Sequence, residues 1–304
     1  MSTPTGEQFE LIRANAHHQS RASITELAAG LRVLSVDGIE LIEGHGADEI
    51  APYGAGTVLV PWPNRVEDGR WQYRGETQQL DLTEPSRNNA IHGLLRNTAY
   101  RVRERRADAI TLGAAVYPQN GYPFQLDTTV RYELVDDGIT VTHEIENTGS
   151  DAAPVAIGAH PFLRIGDIPT TELTLTVAAT THFVVDDRLN PTTEEPVEGT
   201  PYDLRAGARV GELTLDDGFG GVESGLSHRL TAPDGRFVEV WSDPEFAYAQ
   251  IFTTPIFPRA GQTTFAIAVE PMTAPVNAFN SGAGLRWVEP GERWSVAWGI
   301  RYSG

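Results

Sequence analysis

The sequence predicts an all-β protein, built as one large antiparallel β-sandwich. Apolar and polar side chains alternate along residues 126–134 and again along 139–146, which is the period of a strand with one buried face. Asp136-Asp137-Gly138 joins the two runs, and an Asp-Gly turn between alternating runs is a strong hairpin signal. Sustained helical periodicity is missing, while 30 glycines and 20 prolines punctuate the chain as expected for many short strands and turns.

Further alternating runs extend this pattern to the end of the chain, at residues 173–177, 237–241, 250–253, 265–270 and 294–302. Helical segments are not interleaved with them at βαβ spacing, so a parallel doubly wound sheet is not expected. We find no internal repeat and no linker, and we interpret the Pro/Thr/Glu-rich stretch 190–201 as a surface loop. Residues 1–304 are therefore expected to form a single domain.

The composition excludes several kinds of chemistry. The chain has no cysteine and no lysine, so disulfides, thiolate sites and Schiff-base catalysis are ruled out. Its net charge of -18 disfavours nucleic acid and anionic membrane as partners, although solubility alone also explains such acidity. No apolar run approaches the ~18 residues that span a bilayer. Because residues 1–10 do not resemble a secretory signal, we expect a cytoplasmic protein.

One polar turn stands out in the first third of the chain. In residues 53–65 an apolar run leads into Pro-Trp-Pro-Asn-Arg, a proline-fixed turn that ends at Arg65. Such a turn can present an aromatic ring, an amide and a guanidinium to a polar ligand. A rigid turn with a surface arginine is the alternative interpretation.

Two histidines and a glutamate lie at the ends of short apolar stretches. His92 lies in NNAIHG and His160 in GAHPF, each beside glycine or proline, which permit close backbone approach to a ligand or a strained turn. Taken singly, each histidine could equally be a packed or a surface residue. Glu270 ends an apolar strand before Pro271, and desolvation there raises a carboxylate pKa toward that of a working base.

Together these segments resemble the galactose mutarotase-like family, the aldose 1-epimerases. The resemblance runs nearly end to end, through PWPNRVEDGRWQYRG (61–75), NNAIHGLLR (88–96), GYPFQL (121–126), GAHPF (158–162), LDDGF (215–219), VEPMTAPVNAFN (269–280) and PGERW (290–294). It implies the β-supersandwich of that family. It also implies that Glu270 is the general base and His160 the general acid, with His92 and Arg65 contacting the sugar ring oxygen and hydroxyls.

The sugar-binding aspartate of this family lies in a D-x-x-F/Y pattern. Asp216 has that spacing to Phe219, so we prefer it to Asp217. Family members commonly carry HGG and H-P/x-Y-F-N, whereas this chain has HGL from His92 and HPFL from His160. These departures leave the sub-family and the preferred sugar open.

The resemblance predicts interconversion of the α and β anomers of a free aldohexose. A base takes the proton of the anomeric hydroxyl while an acid protonates the ring oxygen, and each transfer typically contributes ~10²–10⁴-fold to the rate. No redox step, cofactor or metal is needed. The expected partner is the aldose, with the protein a monomer or homodimer.

Four alternatives remain open at this point. His92, His160 and Glu270 could bind a metal, although no HExxH-like spacing supports it. Asp216 and Glu270 could be the paired carboxylates of a glycosidase, which would leave the two motif histidines without a role. A non-catalytic carbohydrate-binding β-sandwich would need no base.

A hexose-6-phosphate 1-epimerase is the fourth alternative. It would need additional cations, for which Arg87, Arg96 and Arg164 are candidates. The net charge of -18 predicts that a neutral aldose is preferred to its 6-phosphate.

Overall fold

The computed structural model describes residues 3–223 and 227–304. Within these ranges most regular structure is strand, in chain order β1 Gln8–Ala14, β2 Gln19–Thr25, β3 Leu31–Val36, β4 Ile39–Glu40, β5 Val58–Leu59, β6 Arg65–Glu67, β7 Arg70–Tyr73, β8 Glu76–Gln79, β9 Asn89–Ile91, β10 Arg101–Arg105, β11 Ala109–Val116, β12 Leu126–Val135, β13 Gly138–Asn147, β14 Ala153–Val155, β15 Gly158–Ala159, β16 Phe162–Leu163, β17 Thr174–Thr176, β18 Thr181–Val185, β19 Pro191–Pro196, β20 Ala208–Arg209, β21 Asp216–Gly220, β22 His228–Thr231, β23 Phe237–Ser242, β24 Tyr248–Arg259, β25 Gln262–Met272, β26 Arg286–Val288 and β27 Arg293–Ser303. The helical elements are α1 Ala278–Ser281 and the 3₁₀ turns Pro52–Gly54, Pro85–Arg87, Thr170–Glu172 and Val210–Glu212. A helix with the length and apolarity to cross a membrane is not found in the described ranges.

Two large antiparallel sheets dominate the fold. The nine-stranded sheet has the order β10-β11-β12-β13-β27-β23-β22-β17-β20. The eight-stranded sheet has the order β19-β18-β21-β24-β25-β15-β5, with β16 also pairing with β25. Strands β1–β4 form a separate four-stranded sheet, and β14-β26, β6-β9 and β7-β8 are two-stranded.

A continuous hydrophobic core lies between the two large sheets. It combines buried side chains of the nine-stranded sheet with those of the eight-stranded sheet, including Ile139, Val240 and Trp298 from the first and Phe219, Ile251 and Val269 from the second. Face-to-face packing of two antiparallel sheets over one core defines a β-sandwich. The predicted fold class is confirmed.

The hairpin predicted around residue 137 is present. Val135 of β12 lies opposite Gly138 of β13, which leaves Asp136 and Asp137 as a two-residue turn. Buried and more exposed residues alternate along both strands, as the sequence pattern predicts. The other predicted runs lie in β17, β23, β24, β25 and β27.

The predicted surface loop at 190–201 is wrong for residues 191–196. These residues form β19, an exposed edge strand that pairs with β18. An edge strand uses only one of its two hydrogen-bonding sides, so it tolerates proline, and here Pro191 and Pro196 lie at its two ends. The prolines therefore mark the limits of a strand rather than its absence.

Candidate active site

One face of the eight-stranded sheet carries a row of polar side chains. Asp216 begins β21, Gln250 lies in the adjacent β24, and Glu270 lies opposite Gln250 in β25. Asp216 pairs with Phe252, two residues from Gln250, so all of these side chains share one face of the sheet. His160 lies between β15 and β16, which both pair with β25. Consecutive neighbouring strands thus bring together residues that are far apart in sequence.

Arg65 and His92 come from a smaller pair of strands beside this face. Arg65 begins β6, and His92 directly follows β9, its pairing partner. The backbone N–H of His92 donates to the Asn64 carbonyl at 2.9 Å. The next residue, Gly93, has φ +70°, and a Cβ there would lie 2.1 Å from the Val60 carbonyl oxygen. The glycine of the IHG motif is therefore required by this close backbone approach.

The His92 ring has a defined tautomer. Its Nδ1 accepts a hydrogen bond from the backbone N–H of Asn64 at 3.2 Å, which leaves the proton on Nε2. Burial lowers the pKa of His92 well below its ordinary value, and the nearby charges of His160, Arg65 and Arg96 lower it further. His92 is thus a neutral imidazole that can donate one hydrogen bond from Nε2.

Glu270 and His160 form a buried pair at the centre of the site. His160 Nε2 lies 3.4 Å from Glu270 Oε1, and the two side chains are 7% and 2% exposed. Burial raises the pKa of Glu270 well above its ordinary value; Asp216 adds to this rise and Arg65 opposes it. Burial also lowers the pKa of His160 to about 4. Burial therefore disfavours the charged form of both groups.

Three buried polar atoms around this pair lack a hydrogen-bond partner within the described part of the chain. They are Oε2 of Glu270, Nδ1 of His160 and Oε1 of Gln250. A buried polar group without a partner costs about 1–3 kcal/mol, and native structures contain few. Their clustering at one place indicates a site that a hydroxyl-rich ligand would complete.

Arg65 is held by a carboxylate that the sequence analysis did not identify. Its Nε donates to Glu84 Oε2 at 2.8 Å and its Nη2 to Glu84 Oε1 at 3.1 Å, a bidentate pair. The same Nη2 lies 3.7 Å from Asp216 Oδ2. Gln250 Nε2 donates to Asp216 Oδ1 at 2.8 Å. Arg65 and Gln250 together orient Asp216 beside Glu270.

The structure separates the two neighbouring aspartates. Asp216 lines the cavity with Glu270, whereas Asp217 contacts His182 Nε2 through Oδ1 at 2.9 Å. Asp217 also accepts the backbone N–H of Asp216 at 3.0 Å. Adjacent residues of a strand point to opposite faces, so only one of the two can face the site.

These side chains line a cavity of about 290 Å³, close to the lower end of the range for small-molecule sites. All five site residues predicted from the sequence line it: Arg65, His92, His160, Asp216 and Glu270. The cavity is also lined by Asn64, the amide of the predicted ligand-binding turn, and by Arg87. Tyr53, Ile91, Gln250 and Phe252 line it too, and the sequence analysis gave them no site role.

Two sequence-based interpretations are wrong. Trp62 does not face the ligand cavity: it is 2% exposed and packs on Tyr122 and Phe279, because its apolar ring belongs to the core. Arg164 does not face the cavity either. Its buried guanidinium lies 2.7 Å from Glu40 and 3.8 Å from the buried Glu43, and these two carboxylates neutralise its charge.

The metal-site alternative requires His92, His160 and Glu270 to be arranged around one ion. Among the described residues, no group of three or more histidine, aspartate or glutamate side chains is arranged to hold a metal ion. His92, His160 and Glu270 are therefore not such a group.

Comparison with solved structures identifies the fold of this protein. The GalM/aldose epimerase homologue from C. elegans matches with a TM-score of 0.84 at 16% identity, over 98% of this chain and 99% of that chain. Galactose 1-epimerase from Lactobacillus acidophilus NCFM matches with a TM-score of 0.76 at 18% identity, over 98% of both chains. The fold is thus that of galactose mutarotase-like proteins.

Sequence comparison identifies the family. The sequence model of the family described as aldose 1-epimerase matches residues 10–301. The uncharacterized protein YihR of Escherichia coli (strain K12) is 32% identical over 290 residues, covering 95% of this chain and 91% of YihR. The chain belongs to the aldose 1-epimerase family.

Proposed function

We propose that this protein is an aldose 1-epimerase that interconverts the α and β anomers of a free aldohexose. The observation that carries the proposal is the buried Glu270–His160 pair, 3.4 Å apart, with unpartnered polar atoms facing a polar cavity. We also infer that residues 1–304 form one domain, because a single hydrophobic cluster contains residues from Phe9 to Ile300.

The reaction needs one base and one acid at adjacent oxygens of the sugar. Glu270 takes the proton from the anomeric hydroxyl O1, and His160 gives one to the ring oxygen O5. The C1–O5 bond breaks as the O1 electrons form the C1 carbonyl. Rotation about C1–C2 exposes the other carbonyl face, and closure with the proton roles reversed gives the other anomer.

The form of the pair that can react, a Glu270 carboxylate beside a His160 imidazolium, has the same net charge as the uncharged pair. When Glu270 passes its proton over the 3.4 Å contact, Glu270 becomes a carboxylate and His160 an imidazolium. One proton moves and the total charge stays zero, so the buried site avoids the large cost of an isolated charge. The sugar hydroxyls supply hydrogen bonds to the unpartnered atoms and thereby stabilise this ionised form.

The remaining residues hold the sugar while the ring is open. His92 donates from Nε2, Arg65 donates from its guanidinium, and Asp216 accepts from hydroxyls. Fixing these groups beforehand reduces the entropy that must be lost at the transition state. It also keeps the open-chain aldehyde in place, so that rotation ends in ring closure and not in release.

The test is NMR or polarimetry of freshly dissolved α-glucose and α-galactose with the purified protein. Anomerisation above the buffer rate is expected, and Glu270→Gln should reduce kcat by at least ~10²-fold because it removes the base and keeps the shape. Glu76→Gln, at an exposed position of β8, is the matched control and should behave as the unchanged protein.

Three outcomes contradict the proposal. Equilibration no faster than buffer across several free aldoses excludes the activity, and sugar binding without acceleration favours a non-catalytic carbohydrate-binding protein. Near-normal turnover by Glu270→Gln with intact fold excludes Glu270 as the base.

A further inference from the structure

The catalytic cavity is lined by apolar and aromatic residues as well as by polar ones. These are Tyr53, Ile91 and Phe252. Tyr53 is 43% exposed whereas Ile91 is buried, and the Tyr53 ring lies 5.8 Å from the ring of Phe252. The Tyr53 ring is therefore placed at the border between the catalytic cavity and solvent.

The backbone of Tyr53 has a conformation that a bulky residue rarely adopts. Its φ and ψ are 53° and 20°, in the left-handed region where glycine and asparagine are much commoner than tyrosine. Residues in such conformations persist only where the surrounding structure holds them, and they are frequent at active sites and ligand clamps. A tyrosine at this position opposes the backbone preference, which indicates a role for its side chain.

An aromatic cluster beside the proposed catalytic acid fixes the Tyr53 ring. The ring packs on Phe162, Phe252 and Phe257, with centroid distances of 6.4, 5.8 and 6.1 Å. Phe162 also stacks on the His160 ring, at 5.2 Å and with 26° between the planes. The cluster thus sets the place of the Tyr53 ring relative to His160.

The turn that carries Tyr53 is hydrogen-bonded to His160 as well. The backbone N–H of Gly56 donates to the His160 carbonyl at 2.8 Å, and the His160 N–H donates to the Thr57 carbonyl at 3.3 Å. A Cβ at Gly56 would lie 2.2 Å from the Leu31 carbonyl oxygen, so this close approach requires glycine. Both the ring and the backbone of the turn are therefore positioned with respect to the acid.

We propose that Tyr53 packs on a C–H face of the bound aldose and blocks its exit, so that the open-chain aldehyde is retained until the ring closes. The proposal rests on the proposed function, because only a ring that opens gives such an intermediate. A sugar ring has hydroxyls around its edge and C–H groups on its faces. Polar side chains such as Arg65 and Asp216 can bind the edge, and an aromatic ring can bind a face.

The open-chain intermediate is the stage at which the substrate is most easily lost. Breaking the C1–O5 bond gives a chain with more rotational freedom than the ring. The other anomer forms only if rotation about C1–C2 and closure both occur before the aldehyde diffuses away. A ring that contacts C–H groups restricts this diffusion without fixing the reacting atoms, because apolar contacts are not directional.

Asparagine at position 53 separates the contribution of the ring from that of the backbone. Because asparagine tolerates the left-handed conformation, Tyr53→Asn should keep the turn and remove the ring. Tyr53→Phe keeps the ring and removes the hydroxyl. Tyr117→Asn is the matched control, since Tyr117 is 66% exposed and lines neither the catalytic cavity nor the cavity that adjoins it. Circular dichroism checks that each variant is folded.

The first experiment measures α-glucose anomerisation by NMR in the presence of hydroxylamine, which converts released aldehyde into the oxime and water. Tyr53→Asn should raise the ratio of oxime to anomerised sugar about tenfold, which corresponds to about 1.4 kcal/mol. Its KM should rise while kcat changes little, because Glu270 and His160 are intact. Tyr53→Phe and Tyr117→Asn should keep the ratio of the unchanged protein. An unchanged ratio in folded Tyr53→Asn, whatever its KM, overturns the inference.

The second experiment separates this inference from the proposed function. Its ligand is 1,5-anhydroglucitol, which has no anomeric hydroxyl and binds without reacting. We expect Tyr53→Asn to bind it about tenfold more weakly than the unchanged protein, Tyr53→Phe and Tyr117→Asn do. Equal binding by Tyr53→Asn, or no binding by the unchanged protein, overturns the inference even if α-glucose is anomerised. Binding that depends on the ring without any anomerisation overturns the proposed function, and with it the retained aldehyde, but not the contact with the sugar face.

Discussion

Glu84→Gln is the perturbation that best tests the network around the catalytic pair. Glu84 is 13% exposed at its side chain and makes two hydrogen bonds to Arg65, of 2.8 and 3.1 Å. It also lies 3.3 Å from Arg87. Glutamine keeps the shape and one acceptor but loses the negative charge and the bidentate contact. Residue 84 then holds Arg65 by a single neutral hydrogen bond in place of the bidentate ion pair.

The expected magnitude follows from the contact that is lost. A hydrogen bond to a charged group contributes about 1.5–3 kcal/mol, so kcat/KM should fall roughly 10- to 100-fold. The released Arg65 lies 3.7 Å from Asp216 and already lowers the pKa of Glu270. A stronger positive field at Glu270 lowers that pKa further. The alkaline limb of the pH–rate profile should therefore move to lower pH.

The assay is the rate of α-glucose anomerisation, measured across pH with Glu76→Gln as the exposed carboxylate control. A merely structural role for Glu84 would reduce the amount of folded protein and leave the alkaline limb in place. A variant with unchanged kcat/KM, or with reduced kcat/KM and an unmoved limb, would refute the reasoning that Glu84 positions Arg65.

Three further predictions concern pH and metal. The acid limb of the pH–rate profile should lie near pH 4, because burial lowers the pKa of His160 to about 4 and the pair has no base once both groups are protonated. Stability should fall as pH drops below about 6.5, because the pKa of buried His143 is about 3 when folded and the unfolded chain takes up the proton first. His143 Nε2 accepts the Trp298 indole N–H at 3.0 Å, and His143→Gln should reduce the slope of unfolding free energy by about 1.4 kcal/mol per pH unit. Dialysis against a strong chelator should leave anomerisation unchanged, because Glu270 and His160 carry both proton transfers; activity restored by one added divalent ion would contradict this.

Motifs with a strong local signal were predictable from the sequence. His92 and His160 lie beside glycine and proline because the backbone approaches other segments closely there, and Gly93 could not carry a side chain. Such requirements restrict the adjacent residues to types such as glycine and proline, so they can be recognised in the sequence. Glu270 was visible for a related reason, since a carboxylate that ends an apolar strand needs a physical explanation.

Residues that contribute through pairing between distant segments have no such restriction on their sequence neighbours, so they could not be predicted. Gln250 contributes because it lies opposite Glu270, a register set by the whole β24–β25 pair. Glu84 contributes because a turn 19 residues after Arg65 brings its carboxylate to the guanidinium. The same limit explains why the prediction for Trp62 was wrong. A tryptophan after proline can face a ligand or the core, and here it packs in the core on Tyr122 and Phe279, which are distant in sequence.

The choice between Asp216 and Asp217 shows how the two kinds of information combine. Strand alternation alone requires that one of them faces the site and the other faces away. Which one does so depends on the register with β24, where Asp216 pairs with Phe252 and therefore shares a face with Gln250 and, through it, Glu270. A register shift of one residue would exchange the two aspartates and place Asp217 beside Glu270. The pairing of Asp217 with His182 on the opposite face stabilises the observed register, so a residue outside the site determines which carboxylate lies inside it.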